Sequence, residues 1–146
     1  MQAAQLRART GCSETDQKDW TRKSILLPVV PGNGPGRHAR YDEANILAAA
    51  IAVRMKQAHL VVTRYGDAFR KLHDWLRNRP PTQWQGQWAI FEESTIVFSS
   101  MNKPLPSFQA AFIVDLGIVY QNIPTEGRDL PYRQLPLEWM DDRDSP

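Results

Sequence analysis

The sequence predicts an α+β fold, with helices in the N-terminal half and short strands in the C-terminal half. Two helix signals flank Gly11, and apolar residues recur every three or four positions in the helices predicted before Pro80. After residue 84 the sequence changes to short β-rich runs. Hydrophobic residues make up 42% and charged residues 23% of the 146 residues, which is close to the globular average, so wholesale disorder is excluded.

The first two predicted helices have the spacing of a helix-turn-helix. Residues 3–10 are strong helix formers, and Gly11 suits the left-handed position that ends a helix. Ser13 is expected to cap a second helix from Glu14 to about Ser24, with Asp16 reaching back to the Ser13 amide. Trp20 is the predicted apolar anchor of this helix, and its polar residues are expected to point outward: Thr15, Gln17, Lys18 and Arg22.

A long-tipped β-hairpin is predicted over residues 26–41. ILLPVV is expected to form its first strand, PGNGPG its tip and RHARY its second strand. The glycines do not match a nucleotide-binding loop, because a P-loop needs Lys and Ser or Thr after its last glycine and a dinucleotide fingerprint needs G-x-G-x-x-G. Nucleotide binding is therefore disfavoured for this segment.

The rest of the chain predicts two helices, three strands and a tail. Asp42 is expected to cap a buried helix over 43–59, and Thr63 an amphipathic helix over 64–79 that two prolines end. WAIF, TIVFS and AFIVDL are predicted strands, and residues 117–123 a short helix or extended segment. The predicted parts are a helix-turn-helix and hairpin domain at 1–79, a β-rich dimerisation or partner element at 80–123, and a flexible tail at 124–146.

Charge is distributed unevenly along the chain. Residues 1–80 carry 14 Lys or Arg and 7 Asp or Glu, whereas residues 81–146 carry 4 and 9. A basic half beside an acidic half is expected of a protein in which one part binds a polyanion. An uneven but inert surface is the alternative.

Enzyme and metal signatures are absent from the sequence. The three histidines, His38, His59 and His73, are far apart, and Cys12 is the single cysteine, so no metal site is predicted. His59 and His73 are expected at a helix end and on a helix surface. No catalytic residue, cofactor or membrane partner is assigned, and the expected location is the cytoplasm.

The predicted helix-turn-helix and hairpin together indicate binding to duplex DNA. A helix with outward polar side chains can enter the major groove and contact base edges. The hairpin residues Arg37, His38 and Arg40 are expected to contact the backbone or the neighbouring minor groove. Small tip residues would permit close approach to the sugar-phosphate chain.

Residues 3–78 resemble the winged helix-turn-helix of MerR-type regulators. The similar features are Leu6, Thr10 and Gly11, then Ser13 and Trp20, the ILLP exit, the wing that ends at Arg40 and Tyr41, and an acidic cap before two helices. The resemblance implies a homodimer on a palindrome-like operator, and it adds Tyr41 to the expected DNA contacts. Ser24 and His59 stand where the family usually has glycine, and the family's long dimerising coiled coil is missing.

These observations predict a sequence-specific transcriptional regulator that binds double-stranded DNA. One alternative is an architectural, excisionase-like accessory factor that bends DNA. Another is a protein-interaction module whose basic face binds an acidic partner. The sequence identifies no effector ligand.

Overall fold

A computed structural model describes residues 1–32 and 38–125 of the chain. Within these residues the protein has five α-helices and one three-stranded antiparallel sheet, which confirms the α+β class. The helices are α1 Ala3–Thr10, α2 Glu14–Arg22, α3 Glu43–Gln57, α4 Gly66–Arg77 and α5 Leu116–Gln121. The strands are β1 Gln87–Glu92, β2 Thr95–Ser100 and β3 Phe112–Asp115. Short 3-10 helices at Val62–Tyr65 and Pro81–Trp84 precede α4 and β1.

The turn between α1 and α2 forms as the sequence predicts. Gly11 has φ 76°, the left-handed conformation that glycine adopts without steric cost. The Ser13 hydroxyl accepts a hydrogen bond from the Asp16 amide at 3.0 Å and so caps α2. The predicted return bond from Asp16 is not among the contacts, because its carboxylate pairs with Lys56 Nζ at 2.5 Å.

Helix α3 lies at the centre of the molecule. Asp42 and Asn45 form a reciprocal capping box at its start, which satisfies two backbone amides. The helix is buried on nearly all sides, and α1, α4 and α5 pack on it. Five of its buried residues are alanines, whose small side chains suit helix packing: Ala44, Ala48, Ala49, Ala50 and Ala52.

The sheet has the order β2-β1-β3, and its three strands match the three predicted ones. On its inner face Phe91 lies opposite Ile96 and Phe112 and packs into the core. On its outer face Ile90 lies opposite Val97 and Ile113, which are 40% and 37% exposed. One face of the sheet therefore builds the core and the other remains partly apolar at the surface.

A single hydrophobic cluster runs from Leu6 to Ile123 and includes residues on both sides of the predicted boundary at 79 and 80. The Glu43 carboxylate joins the same two parts, since it accepts hydrogen bonds from Arg9 and from the Tyr120 hydroxyl, each at 2.7 Å. The helices and the sheet therefore share one core. Of the predicted tail, the residues after Thr125 lie outside the described part of the chain.

The segment ILLPVV is not a strand, contrary to the prediction. After α2 the backbone bends at Ile25 and Leu26, whose amides donate to the Trp20 carbonyl at 2.8 and 3.1 Å. The Leu27 carbonyl accepts from Asn45 Nδ2 at 2.8 Å and from Arg77 Nη2 at 2.5 Å. Side chains of α3 and α4 thus bond to the Leu27 carbonyl, which a neighbouring strand would need as an acceptor in a sheet.

His73 is fully buried, so its predicted position on a helix surface is wrong. Its Nδ1 lies 2.7 Å from the Phe69 carbonyl and its Nε2 lies 3.0 Å from Asn45 Nδ2. The carbonyl can only accept and the amide nitrogen only donates, so Nδ1 carries the proton. Burial lowers the pKa of His73 from 6.5 to about 4.

Candidate nucleic-acid interface

A groove of about 710 Å³ lies between α1, α2 and the base of the hairpin. Helix α2 contributes side chains at positions 14, 17, 18, 21 and 22, the spacing of one helix face. Helix α1 and the hairpin contribute the other walls, including Arg7, Gly32 and His38. The groove therefore collects residues from each part of the predicted DNA-binding unit.

Three of the predicted contact residues form an exposed stripe on α2. Thr15, Lys18 and Arg22 are exposed and follow one another at intervals of three and four residues. Lys18 and Arg22 also line the groove, whereas Thr15 does not. The stripe offers one hydroxyl and two cations to a ligand outside the helix.

Gln17 does not point outward, contrary to the prediction, because it is only 5% exposed. Its Oε1 accepts from Arg7 Nη1 at 3.0 Å, and its Nε2 donates to the Tyr41 hydroxyl at 2.8 Å. The amide thus links α1, α2 and the hairpin. The polar groups of Gln17 form a buried hydrogen-bond network. The polar residues near it on α2, Thr15 and Lys18, are exposed, so the sequence pattern does not distinguish Gln17 from them.

Tyr41 is also buried, at 3% exposed, and it is not available at the surface as the DNA-contact prediction requires. Its hydroxyl lies 3.0 Å from Thr21 Oγ1, which in turn donates to the Gln17 carbonyl at 2.8 Å. The Tyr41 hydroxyl therefore donates to Thr21 while it accepts from Gln17. Backbone bonds to Met1 hold the same residue on its other side, at 2.7 and 2.9 Å.

The base of the hairpin consists of one antiparallel bridge between Val30 and Arg40. Residues 38 to 41 alternate between the surface and the interior, as an extended chain does. This alternation leaves His38 and Arg40 exposed and turns Tyr41 inward. The predicted contact Arg37 lies outside the described residues, which stop at Gly32 and resume at His38.

The charges around the groove are predominantly positive. Arg7, Lys18 and Arg22 face it, against the one carboxylate of Glu14. Lys18 pairs with Glu14 at 2.9 Å, and its hydrogen bond lowers the pKa of Glu14. Arg22 pairs with Asp19 on α2. Surface pairs of this kind are weak, so an anionic ligand can compete for both cations.

Arg7 is a groove residue that the sequence reasoning missed. It lies on α1, a helix for which the sequence predicted no DNA contact. The sequence did contain a signal for it. Arg7 and Arg9 are two positions apart on a helix, so their side chains are expected to point to different sides. Arg9 turns to Glu43 in the interior, and Arg7 turns to the groove.

Residues 1–32 and 38–125 contain neither a metal-ligand cluster nor a helix that could span a membrane. No group of three or more His, Cys, Asp or Glu residues there is arranged to hold a metal ion. Burial raises the pKa of the Cys12 thiol to about 12, which keeps it protonated and unreactive at neutral pH. None of the helices in this part of the chain has the length and apolar character that a membrane span requires.

Comparisons with models of protein families and with curated proteins give no match. Any assignment of function therefore depends on the sequence and on the geometry of this surface.

Proposed function

We propose that this protein is a transcriptional regulator that binds double-stranded DNA in a sequence-specific manner. The observation that carries the proposal is the exposed stripe of Thr15, Lys18 and Arg22 on α2, beside a basic groove and an exposed hairpin base. In the proposed complex α2 enters the major groove, and the stripe reads base edges. His38 and Arg40 contact the flanking backbone, and Arg37 remains a predicted contact on sequence grounds.

The backbone at two positions supports a winged helix-turn-helix similar to that of MerR-type regulators. Ser24 and His59, which stand where that family usually has glycine, are the non-glycine residues with positive φ in the described chain, at 63° and 64°. Each follows a helix in a Schellman motif: Ile25 N donates to Trp20 O, and Leu60 N to Met55 O. Glycine in the family and a left-handed residue in this chain at the same two points favour a similar backbone conformation in both.

Gln17 and Tyr41 have a different role in the proposed complex from the one the sequence suggested. Both are buried, and they hold α2 against the hairpin instead of contacting DNA. A fixed angle between the two DNA-contacting elements reduces the conformational entropy lost on binding. The revised contact set is therefore Thr15, Lys18, Arg22, His38 and Arg40, with Arg37 added from the sequence.

We also propose a homodimer formed through the β-rich element. The outer sheet face supports this, since Val97 and Ile113 are exposed apolar side chains on either side of the buried Ile90. A second copy fits this patch, because a two-fold axis would place the exposed Val97 and Ile113 of each protomer against those of the other. Sedimentation should show a dimer that Val97→Lys converts to a monomer, and a wild-type monomer at high micromolar concentration would contradict the dimer.

The DNA proposal is tested by selecting bound duplexes from fragmented genomic DNA and measuring the dissociation constant of the best sequence. Replacing Lys18 or Arg22 by Ala should change sequence preference, with losses of about 1–3 kcal/mol at the contacted base pairs. Replacing His38 or Arg40 by Ala should weaken binding to all sequences alike. Lys71→Ala, an exposed cation on α4 outside the groove, is the matched control and should bind normally.

The alternatives give different results in the same experiments. An excisionase-like accessory factor would bend its selected duplex without changing expression from a reporter promoter that contains it. A module for an acidic protein partner would select no duplex. If both sets of variants lost the same affinity for every sequence, the proposal that α2 reads bases and the hairpin contacts the backbone would be contradicted.

A further inference from the structure

Arg7 differs from the other cations of the groove in its partners. It is half-buried on α1, and its Nη1 donates to Gln17 Oε1 at 3.0 Å. This is its one side-chain hydrogen bond to the described residues, and none of their carboxylates lies within the 4.0 Å of an ion pair. Lys18 and Arg22, by contrast, each have a carboxylate partner.

An arginine in this setting is prepared to bind an anion. A guanidinium has five N–H donors in a fixed planar arrangement, and Arg7 uses one of them on a neutral amide. Partial burial removes some of the water around the charge, which strengthens its attraction to an incoming anion. The hydrogen bond that Arg7 donates to Gln17, itself fixed by Tyr41, limits the orientations of the guanidinium before any ligand arrives.

The position of Arg7 selects the chemical class of the anion. When a helix occupies the major groove, the sugar-phosphate backbones run along its sides, so a cation beside the helix meets phosphates and not base edges. Arg7 lies beside α2, in a groove that Lys18 and Arg22 also line, and it is outside the exposed stripe. A phosphodiester oxygen pair matches the planar donors of a guanidinium.

We propose that Arg7 binds a phosphate of the DNA backbone at the groove between α1, α2 and the hairpin, with Gln17 as the residue that positions it. This inference rests on the proposed DNA binding and deepens it. It adds a contact from the first helix of the helix-turn-helix to those of α2 and the hairpin. It also gives the buried Gln17 a reason to be polar.

The test measures the salt dependence of DNA binding by the full chain, with the duplex recovered in the selection experiment. Each neutralised phosphate contributes about 0.9 to the slope of log affinity against log salt concentration. Arg7→Gln should lower the slope by about 0.9 and the affinity by about tenfold, the effect of one charge-assisted hydrogen bond. Arg7→Lys keeps the charge, so it should retain the slope while it loses the planar fit.

Controls separate the binding role from a structural one. Lys71→Gln, outside the groove, should leave both slope and affinity unchanged. Arg7→Met serves as a second neutral variant should Arg7→Gln fail to fold, and thermal unfolding of each variant is measured in parallel. A variant that only disturbs the fold would bind more weakly with an unaltered slope.

The outcomes distinguish this inference from the proposed function. Wild-type binding with the same slope for Arg7→Gln would overturn the phosphate contact and leave DNA binding intact. No binding of any duplex by the wild-type protein would overturn both. A slope that falls for Arg7→Gln and stays for Arg7→Lys supports both.

Discussion

Ser24 and His59 are individual residues that adopt a backbone conformation unfavourable to side chains. Both have positive φ because each is the residue that reverses the chain after a helix, and L-residues pay about 1 kcal/mol or more in that region. Gly11 performs the same role after α1 without that cost. The sequence therefore contains two places where a smaller residue should stabilise the protein.

We expect Ser24→Gly and His59→Gly each to raise the free energy of unfolding by about 0.5–1 kcal/mol, the strain relieved less the added flexibility of the unfolded chain. Urea denaturation measures the change. Lys71→Gly in the exposed interior of α4 is the control, and it should lower stability by about 1 kcal/mol. A lower free energy of unfolding in both glycine variants would contradict the inference that Ser24 and His59 are strained.

His73 should make the protein sensitive to acid. Its pKa is about 4 in the folded chain and near 6.5 when unfolded, so between these values the unfolded state binds more protons. Stability is therefore complete above pH 6.5 and falls by about 3 kcal/mol as the pH decreases to 4. The pKa values of Asp42 and Glu43 are lowered in the folded chain, so protonation of these carboxylates at the lowest pH reduces stability further.

Urea titrations at intervals from pH 7 to pH 4 test this expectation. His73→Gln should remove most of the change between pH 6.5 and pH 5, where the carboxylates contribute little. His59→Gln, which alters an exposed histidine, should leave the change in place. A wild-type protein whose stability stays constant down to pH 5 would refute the role of His73.

At the scale of elements, the contact between α2 and the hairpin depends on a small polar network. The hydroxyl of Tyr41 accepts from Gln17 and donates to Thr21, so its removal leaves a buried amide group without a partner. Buried unsatisfied donors cost about 1–3 kcal/mol. The network therefore stabilises the hairpin base together with the bridge at Val30 and Arg40.

We expect Tyr41→Phe to lower the free energy of unfolding by about 1–3 kcal/mol and to accelerate amide hydrogen exchange at Arg40, whose N–H donates to Val30 O at 2.8 Å. Tyr65→Phe is the control, because Tyr65 is buried but its hydroxyl has no hydrogen-bond partner in the described chain. Equal effects of the two changes would show that the network contributes nothing specific.

Local signals in the sequence predicted the elements well and their mutual contacts poorly. Gly11, Ser13 and Asp42 mark helix ends by short-range chemistry, and the structure has those ends. Gln17 and Tyr41 bond to each other across 24 residues of the chain, and His73 bonds to Asn45 across 28. A periodicity argument contains no information on such partners, so it assigned these polar side chains to the surface.

At the scale of the whole molecule, the helices and the sheet should unfold together. Phe91 on β1 packs with Tyr65 and Phe69 at ring-centroid distances of 6.3 and 5.4 Å, within the cluster that also contains Leu6 and Trp20. A defect at Phe91 should therefore weaken the helix-turn-helix as well as the sheet.

We expect Phe91→Ala to cost about 3–5 kcal/mol and to reduce the exchange protection of α1, α2 and β1 by similar amounts. Hydrogen exchange resolved by residue measures this directly. Val61→Ala removes an exposed side chain that lies outside the sheet, and it should cost less than about 1 kcal/mol. Protection lost only from the strands would indicate two independently folding parts.

The alanines of α3 have a consequence for how this sequence can evolve. Ala48, Ala49 and Ala52 are fully buried in the core, so we expect substitution at these codons to be limited by side-chain volume as well as by polarity. In a population under selection for function, descendants would retain small residues there while the outer surface of α4 diverges. The slowest-changing positions of the lineage would then include residues that contact no ligand.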